Sequence, residues 1–400
     1  MREPKPIQRM ELSEKNKTLR LIAAIALFVI GIVGITVGIM SALNQDTGWQ
    51  RVQITPQEHS CSEQFILQYD FSGSGTQATA VNQKLQTAYG EACVKAYGLF
   101  TADEEIPGVN NIYYVNRHPN EEIIVDPVLY AAFEKLQDTP WLYLGPVYAH
   151  YSNMIFNTDE TMLDELDPAL STAAKAYVEK LAAFAADRNA VELELLGENR
   201  VKLTVSDEYL AFAKEEEIEN FIDFSYLSNA FIIDYLADVL TAEGLTDCYL
   251  VSADGYTRNL TSREKFRFNI FDRVGNLVYP AAVMEYQGPI SLVYLKDYPN
   301  ADSDMNYRGR PDYFIHLLVD PADGMYRTSE ENLVSYSYDM SCTDVLLQML
   351  PCFVGQEFQV PQGVYSVWCE DDLVCYNDEA IRVMDPLQSE EMSYRIVLKK

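Results

Sequence analysis

Residues Leu21 to Leu43 form 23 consecutive positions without a charged side chain. At 1.5 Å per residue a helix of that length runs about 34 Å, enough to cross the hydrocarbon core of a bilayer. Arg2, Lys5, Arg9, Lys15, Lys17 and Arg20 stand before it against Glu3, Glu11 and Glu14, and Asp46 follows soon after. Positive-inside bias therefore puts the N-terminus in the cytoplasm and the C-terminal body outside the cell membrane. The expected organisation is a cytoplasmic tail over 1–20, a single transmembrane helix over 21–43, a polar stalk over 44–62 and one folded domain over 63–400. A cleaved signal peptide is the alternative. Its apolar region would span only about 7–15 residues, and the stretch with Gly31, Gly34 and Gly38 continues past that. No Cys directly follows the apolar run, Cys61 being the first, so lipid anchoring is not indicated.

Lys and Arg number 30 against 60 Asp and Glu, a net charge of -30, which repels phosphate backbones and excludes nucleic acid as a partner. Of the 400 residues 48% are apolar and 12% aromatic, with 27 Tyr, so the chain buries a sizeable core and favours strand-rich packing. The seven cysteines are odd in number and lack CxxC spacing, which specifies neither a zinc site nor a complete disulfide framework. Cys369 and Cys375 flank the acidic turn Glu370-Asp371-Asp372 of an expected hairpin; they either face each other across it or remain two buried thiols. His59, His118, His150 and His316 show no metal-ligand pairing. No GxSxG, GxxxxGK[ST] or GxGxxG occurs, leaving serine hydrolase and P-loop chemistry without support.

Periodicity and punctuation predict a mixed order of elements. Gln64 to Phe71 reads as a strand and Ala78 to Leu99 as a helix. Ile112–Val115 and Glu122–Val125 read as short extended segments before Asp126-Pro127, which opens a helix through Leu136. A loop is expected at Gly145-Pro146, a helix from Asp167-Pro168 to Ala186, and a hairpin turned at Gly197-Glu198-Asn199. The aromatic density from Tyr143 to Tyr151 reads as core. Phe221–Phe224 precedes a helix over Ser228–Glu243, with Gly244 as C-cap, and Cys248–Val251 is a strand. The last third is mainly strands, including one over Tyr313–Val319, with one helix at Cys342–Leu350. The fold class is α+β, as a single domain.

Four blocks then carry a resemblance. Tyr113-Tyr-Val-Asn-Arg117 with Ile123-Ile-Val-Asp-Pro127, Ile222 to Asp234, Leu250 to Tyr256, and Tyr313 to Gly324 continuing into Val334 to Leu350 resemble, in this order, the motifs of the ApbE family. These are FAD:protein FMN transferases, which move FMN from FAD onto a Thr or Ser of a partner protein. The resemblance covers about residues 65 to 385. It implies an ApbE-like α+β domain with FAD and Mg²⁺ as possible cofactors, bound between the second, third and fourth blocks. It further implies Asp344 and His316 as catalytic groups. Asp223, Asn229, Asp234, Asp254, Gly255 and Asp320 would bind the cofactor, and Asp344 with Gln348 would hold the metal. Its partners would be a flavin or a flavinylated extracytoplasmic protein.

The departures from the family pattern are chemical. Ser225-Tyr226 replaces a glycine pair, Asn229-Ala230 replaces Lys-Gly at a helix start, Leu317 replaces a histidine, and Gln348 replaces a hydroxyl ligand. Tyr256 stands where an acidic or Asn residue is usual. Bulk and neutrality thus occupy positions where the family offers space and positive charge to a pyrophosphate. Asp344 and Gln348, at i and i+4, share a helix face and would offer two oxygens to Mg²⁺; the other role open to Asp344 is capping the helix that begins after Ser341. The expectation is a membrane-anchored, outward-facing ApbE-like protein with a degenerate flavin/Mg site. An active FMN transferase and a non-flavin surface binding or scaffold domain are the alternatives.

Overall fold

Ile290–Lys296 is buried at every position, a pattern that only a strand covered on both faces can show. The computed structural model describes residues 48–55, 57–72, 75–299, 306–355, 358–370, 373–384 and 393–396. The expected tail, transmembrane helix and first part of the stalk lie outside these residues. Among the described residues no helix is long and apolar enough to cross a membrane.

The strands are β1 Gly48–Arg51, β2 Phe65–Phe71, β3 Glu122–Ile124, β4 Val191–Gly197, β5 Arg200–Val205, β6 Cys248–Ser252, β7 Tyr256–Asn259, β8 Lys265–Val274, β9 Leu277–Gln287, β10 Ile290–Lys296, β11 Arg308–Gly309, β12 Phe314–Ile315, β13 Asn332–Ser337, β14 Tyr365–Glu370, β15 Leu373–Tyr376, β16 Ile381–Val383 and β17 Tyr394–Arg395. The helices are α1 Gly75–Phe100, α2 Ile112–Arg117, α3 Pro127–Leu136, α4 Gly145–Phe156, α5 Glu160–Leu166, α6 Thr172–Ala186, α7 Asp207–Glu215, α8 Ser228–Ala242 and α9 Cys342–Val354. Backbone contacts divide the chain into two units. The described part of the smaller is residues 48–50, 70–72 and 75–84, and the larger comprises 51–69 and 85 onward.

In the larger unit an antiparallel sheet runs in the order β2-β6-β7-β10-β13-β14-β15. One face of β10 packs Ile290, Leu292 and Tyr294 against Met284 and Tyr286 of β9, together with Val334, Tyr336 and Val367. Helices α8 and α9 cover the other face, touching β6, β7, β10 and β13. Each fully buried side chain of this kind contributes about 1.5–3 kcal/mol. The strand β9 also pairs with β8, β16 and β17, while β3, β5 and β4 form a separate antiparallel sheet.

Local rules account for most elements and for the exceptions. Glu198 and Asn199 turn the β4–β5 hairpin at φ 52° and 59°, and Gly244 ends α8 at φ 69°. Tyr143, Tyr148 and Tyr151 are core residues. Ile112–Val115, expected as extended, is instead the start of α2: Asn111 Oδ1 accepts the Tyr114 N–H at 3.0 Å, and this cap outweighs the β-preference of Ile, Tyr and Val. Gly145-Pro146 opens α4 rather than forming a loop, since proline in a first turn gives up an N–H that has no helical partner there. Asp167-Pro168 precedes α6 by a turn, and Ser171 is the cap. Of Tyr313–Val319 only Phe314–Ile315 forms a strand, with an isolated bridge at Val319. Of the two alternatives for Cys369 and Cys375, register decides against a meeting. Cys369 pairs with Val374 and Cys375 with Trp368, so the two thiols point to opposite faces of the sheet.

Candidate functional site

A cavity of about 760 Å³ opens in the larger unit where several segments converge. Among them are the end of α1 with Thr101–Asp103, the run from Asp223 to Asn229, the β6–β7 turn, the end of β10, and His316–Leu318.

Asn116 of α2 fixes the second segment. It is buried, its Oδ1 accepts the Phe221 and Ile222 N–H groups at 2.9 and 3.0 Å, and its Nδ2 donates to the Ile222 carbonyl at 2.8 Å. Arg117 adds bonds to the Glu219 carbonyl at 2.7 Å and to Asn220 Oδ1 at 3.0 Å. The chain thus delivers Asp223 to the cavity wall in one position, with Oδ1 accepting the Ser225 N–H at 2.8 Å. Burial raises the Asp223 carboxyl to about 6. Ser225 follows at φ 47°, the left-handed region in which glycine is unstrained. A serine thus holds a glycine-type backbone conformation here. Tyr226 receives the Tyr256 hydroxyl on its carbonyl at 3.1 Å and sets its ring edge-on to Tyr148.

At the start of α8, Asn229 Nδ2 donates to Asp254 Oδ2 at 3.0 Å, and Ser252 Oγ donates to Asp254 Oδ1 at 2.5 Å. Asn229 Oδ1 is buried with no hydrogen-bond partner among the described residues. Gly255 holds the turn at φ 104°; a Cβ there would come 2.6 Å from the Tyr294 carbonyl, and the Tyr294 N–H donates to the Gly255 carbonyl at 3.0 Å. This contact brings the end of β10 to the cavity. Lys296 is the only lysine or arginine among the described lining residues, and it is 4% exposed. His316 is buried, which lowers its pKa to about 4 and keeps the ring neutral. Its Nδ1 accepts the Leu318 N–H at 3.2 Å, so the ring proton sits on Nε2.

Asp223, Asn229, Asp254 and His316 thus line one cavity, with Gly255 beside it, whereas Asp234, Asp320, Asp344 and Gln348 are not among the lining residues. Asp234 caps α9 from a distance, accepting the Cys342 N–H at 3.0 Å, the Thr343 N–H at 2.8 Å and the Thr343 hydroxyl at 2.7 Å. Asp320 shapes a turn: Oδ1 accepts the Ala322 N–H at 2.9 Å and Oδ2 lies 3.3 Å from Arg327.

Asp344 has both carboxylate oxygens engaged. Lys135 of α3 donates to Oδ1 at 2.6 Å, and Ser341 Oγ donates to Oδ2 at 2.8 Å while accepting the Asp344 N–H at 3.1 Å. Partial burial works the other way, but the Lys135 ammonium and the Ser341 hydroxyl hold this carboxyl below its ordinary range. Gln348 turns its amide to Met340 Sδ at 3.4 Å. Lys135 and Ser341 thus stand where a cation approaching the Asp344 oxygens would have to sit. Among the described residues no cluster of three or more His, Cys, Asp and Glu is arranged to hold a metal.

The sequence reading missed Asn116 and Lys296. Asn116 carried a signal, a polar residue among apolar ones in Tyr113–Arg117; Lys296, ending an apolar strand, carried none.

No family model and no curated protein sequence matches the chain. Solved structures do. The flavin transferase ApbE from Vibrio cholerae aligns with a TM-score of 0.50 at 13% identity, covering 83% of this chain and 97% of that one. The ApbE protein from Thermotoga maritima gives 0.46 at 12% over 81% and 94%. The apo flavinyl transferase ApbE from Pseudomonas stutzeri gives 0.46 at 12% over 84% and 95%. At 13% identity the Vibrio cholerae likeness is one of fold, and the fold of this chain is ApbE-like.

Proposed function

We propose that this protein is a membrane-tethered, outward-facing ApbE-like protein that holds a flavin in the Asp223–Asn229–Asp254–His316 cavity and does not carry out Mg²⁺-dependent transfer of FMN. The observation that carries the reading is the pairing of Asp344 with Lys135: the carboxylate that the family pattern assigns to the metal is paired with a partly exposed ammonium of the same chain. The anchor rests on the uncharged run Leu21–Leu43 and the basic residues before it.

The chain's own groups suit a flat heteroaromatic ligand with a hydrogen-bonding edge. His316 offers an Nε2–H that stays uncharged at neutral pH. Tyr97, Phe100, Tyr256 and Tyr294 supply apolar walls. The partners in this reading are a flavin or a flavinylated extracytoplasmic protein.

The test is a flavin fluorescence titration of the purified full-length protein, with AMP release from FAD measured with and without Mg²⁺. Saturable quenching without AMP release is expected. AMP release that requires Mg²⁺ and disappears in Asp344→Ala would establish an active transferase instead. No quenching by any flavin would leave a scaffold or binding domain for another ligand.

A further inference from the structure

Resting on that reading, we infer that the cavity selects a flavin without phosphate, riboflavin in preference to FMN or FAD, because an internal carboxylate already stands at the helix start where a phosphate would approach. A helix N-terminus attracts an anion through its exposed N–H groups and dipole. In this chain α8, 15 residues long, carries Asn229 as its second residue, hydrogen-bonded to the Asp254 carboxylate, so an internal anion stands at its first turn. The second hydrogen bond, from Ser252, holds that carboxylate in place.

The surrounding charge points the same way. Asp103, Asp223 and Asp254 line the cavity against Lys296 alone among the described lining residues. A phosphate brought to this wall meets like charge, and like charges about 4 Å apart repel even at high dielectric. A divalent cation would screen that repulsion, yet among the described residues no cluster of three or more His, Cys, Asp and Glu is arranged to hold one. Uncharged groups are in contrast well served. The His316 Nε2–H is a neutral donor, and Ser152, Ser225 and Ser228 line the same cavity. The hydroxyls and ring imide of a phosphate-free flavin match such groups.

The experiment compares riboflavin, FMN and FAD as ligands of the full-length protein in detergent, by fluorescence quenching at fixed ionic strength and without divalent metal. Riboflavin is expected to bind about tenfold more tightly than FMN or FAD, the scale of one or two like-charge contacts. In Asp254→Asn, which keeps the shape of the turn, and in Asp103→Asn, on an exposed loop, the FMN-to-riboflavin affinity ratio should rise toward one. Unchanged thermal unfolding would show that each variant is folded. Tighter binding of FAD than of riboflavin, or a ratio unmoved by both variants, would overturn the inference and leave the flavin reading intact. Binding of none of the three would sink the flavin reading itself.

Discussion

Two residues at the cavity show how single positions carry the architecture. Gly255 combines φ 104° with a backbone contact that leaves no room for a Cβ. Gly255→Ala is expected to cost about 2–4 kcal/mol, read as a lower midpoint in chemical unfolding. Asn116→Ala would strand the buried Phe221 and Ile222 N–H groups, an expected loss of about 2–3 kcal/mol, with weakened flavin binding as Asp223 loses its fixed position. Asp223 itself makes stability depend on pH. Its carboxyl is raised to about 6 in the folded chain, against about 3.9 when unfolded, so the folded state holds this proton more tightly. That contribution is fully present below about pH 4 and is lost as pH rises through about 6. In unfolding midpoints measured across this window, Asp223→Asn should show a smaller decline than the parent protein, and an identical slope would refute the assignment.

Among the elements, α9 decides most about the chemistry. Ser341 and Asp344 exchange hydrogen bonds across its first turn in the manner of a capping box. Asp234 reaches the same helix end from α8. Asp344→Ala is therefore expected to lower stability by about 1 kcal/mol. Lys135→Met should cost less than about 1 kcal/mol, because that ion pair is about two-fifths exposed on both sides and is screened by salt. Millimolar MgCl₂ should leave the thermal midpoint of the parent protein unchanged. A rise that Asp344→Ala abolishes would show instead that the metal displaces Lys135.

For the whole molecule, the uncharged run Leu21–Leu43 and its flanking charges predict retention in membranes after carbonate washing, with digestion by protease added to intact cells. Loss on washing, or protection from the protease, would overturn the proposed placement. Much of the fold was legible along the chain. Caps such as Asp126, the Glu198-Asn199 turn and the apolar run of β10 act through neighbours only a few residues away, so residue type and spacing reveal them. Where competing local signals were close, as in Ile112–Val115, an Asn cap reversed the expectation. The site was legible only as four motifs in order. Which of their polar groups face a common cavity depends on partners far off in sequence. Asn116 holds Phe221 and Ile222 from another part of the chain, and Lys135 meets Asp344 across 209 positions. By itself the sequence determined most of the strands and helices and the acidic balance, because these follow from local periodicity and composition. Only the tertiary structure decided that Asp344 is bound to an ammonium and Asp254 stands at a helix start, because a charge acquires its role from whatever the fold brings within hydrogen-bonding distance.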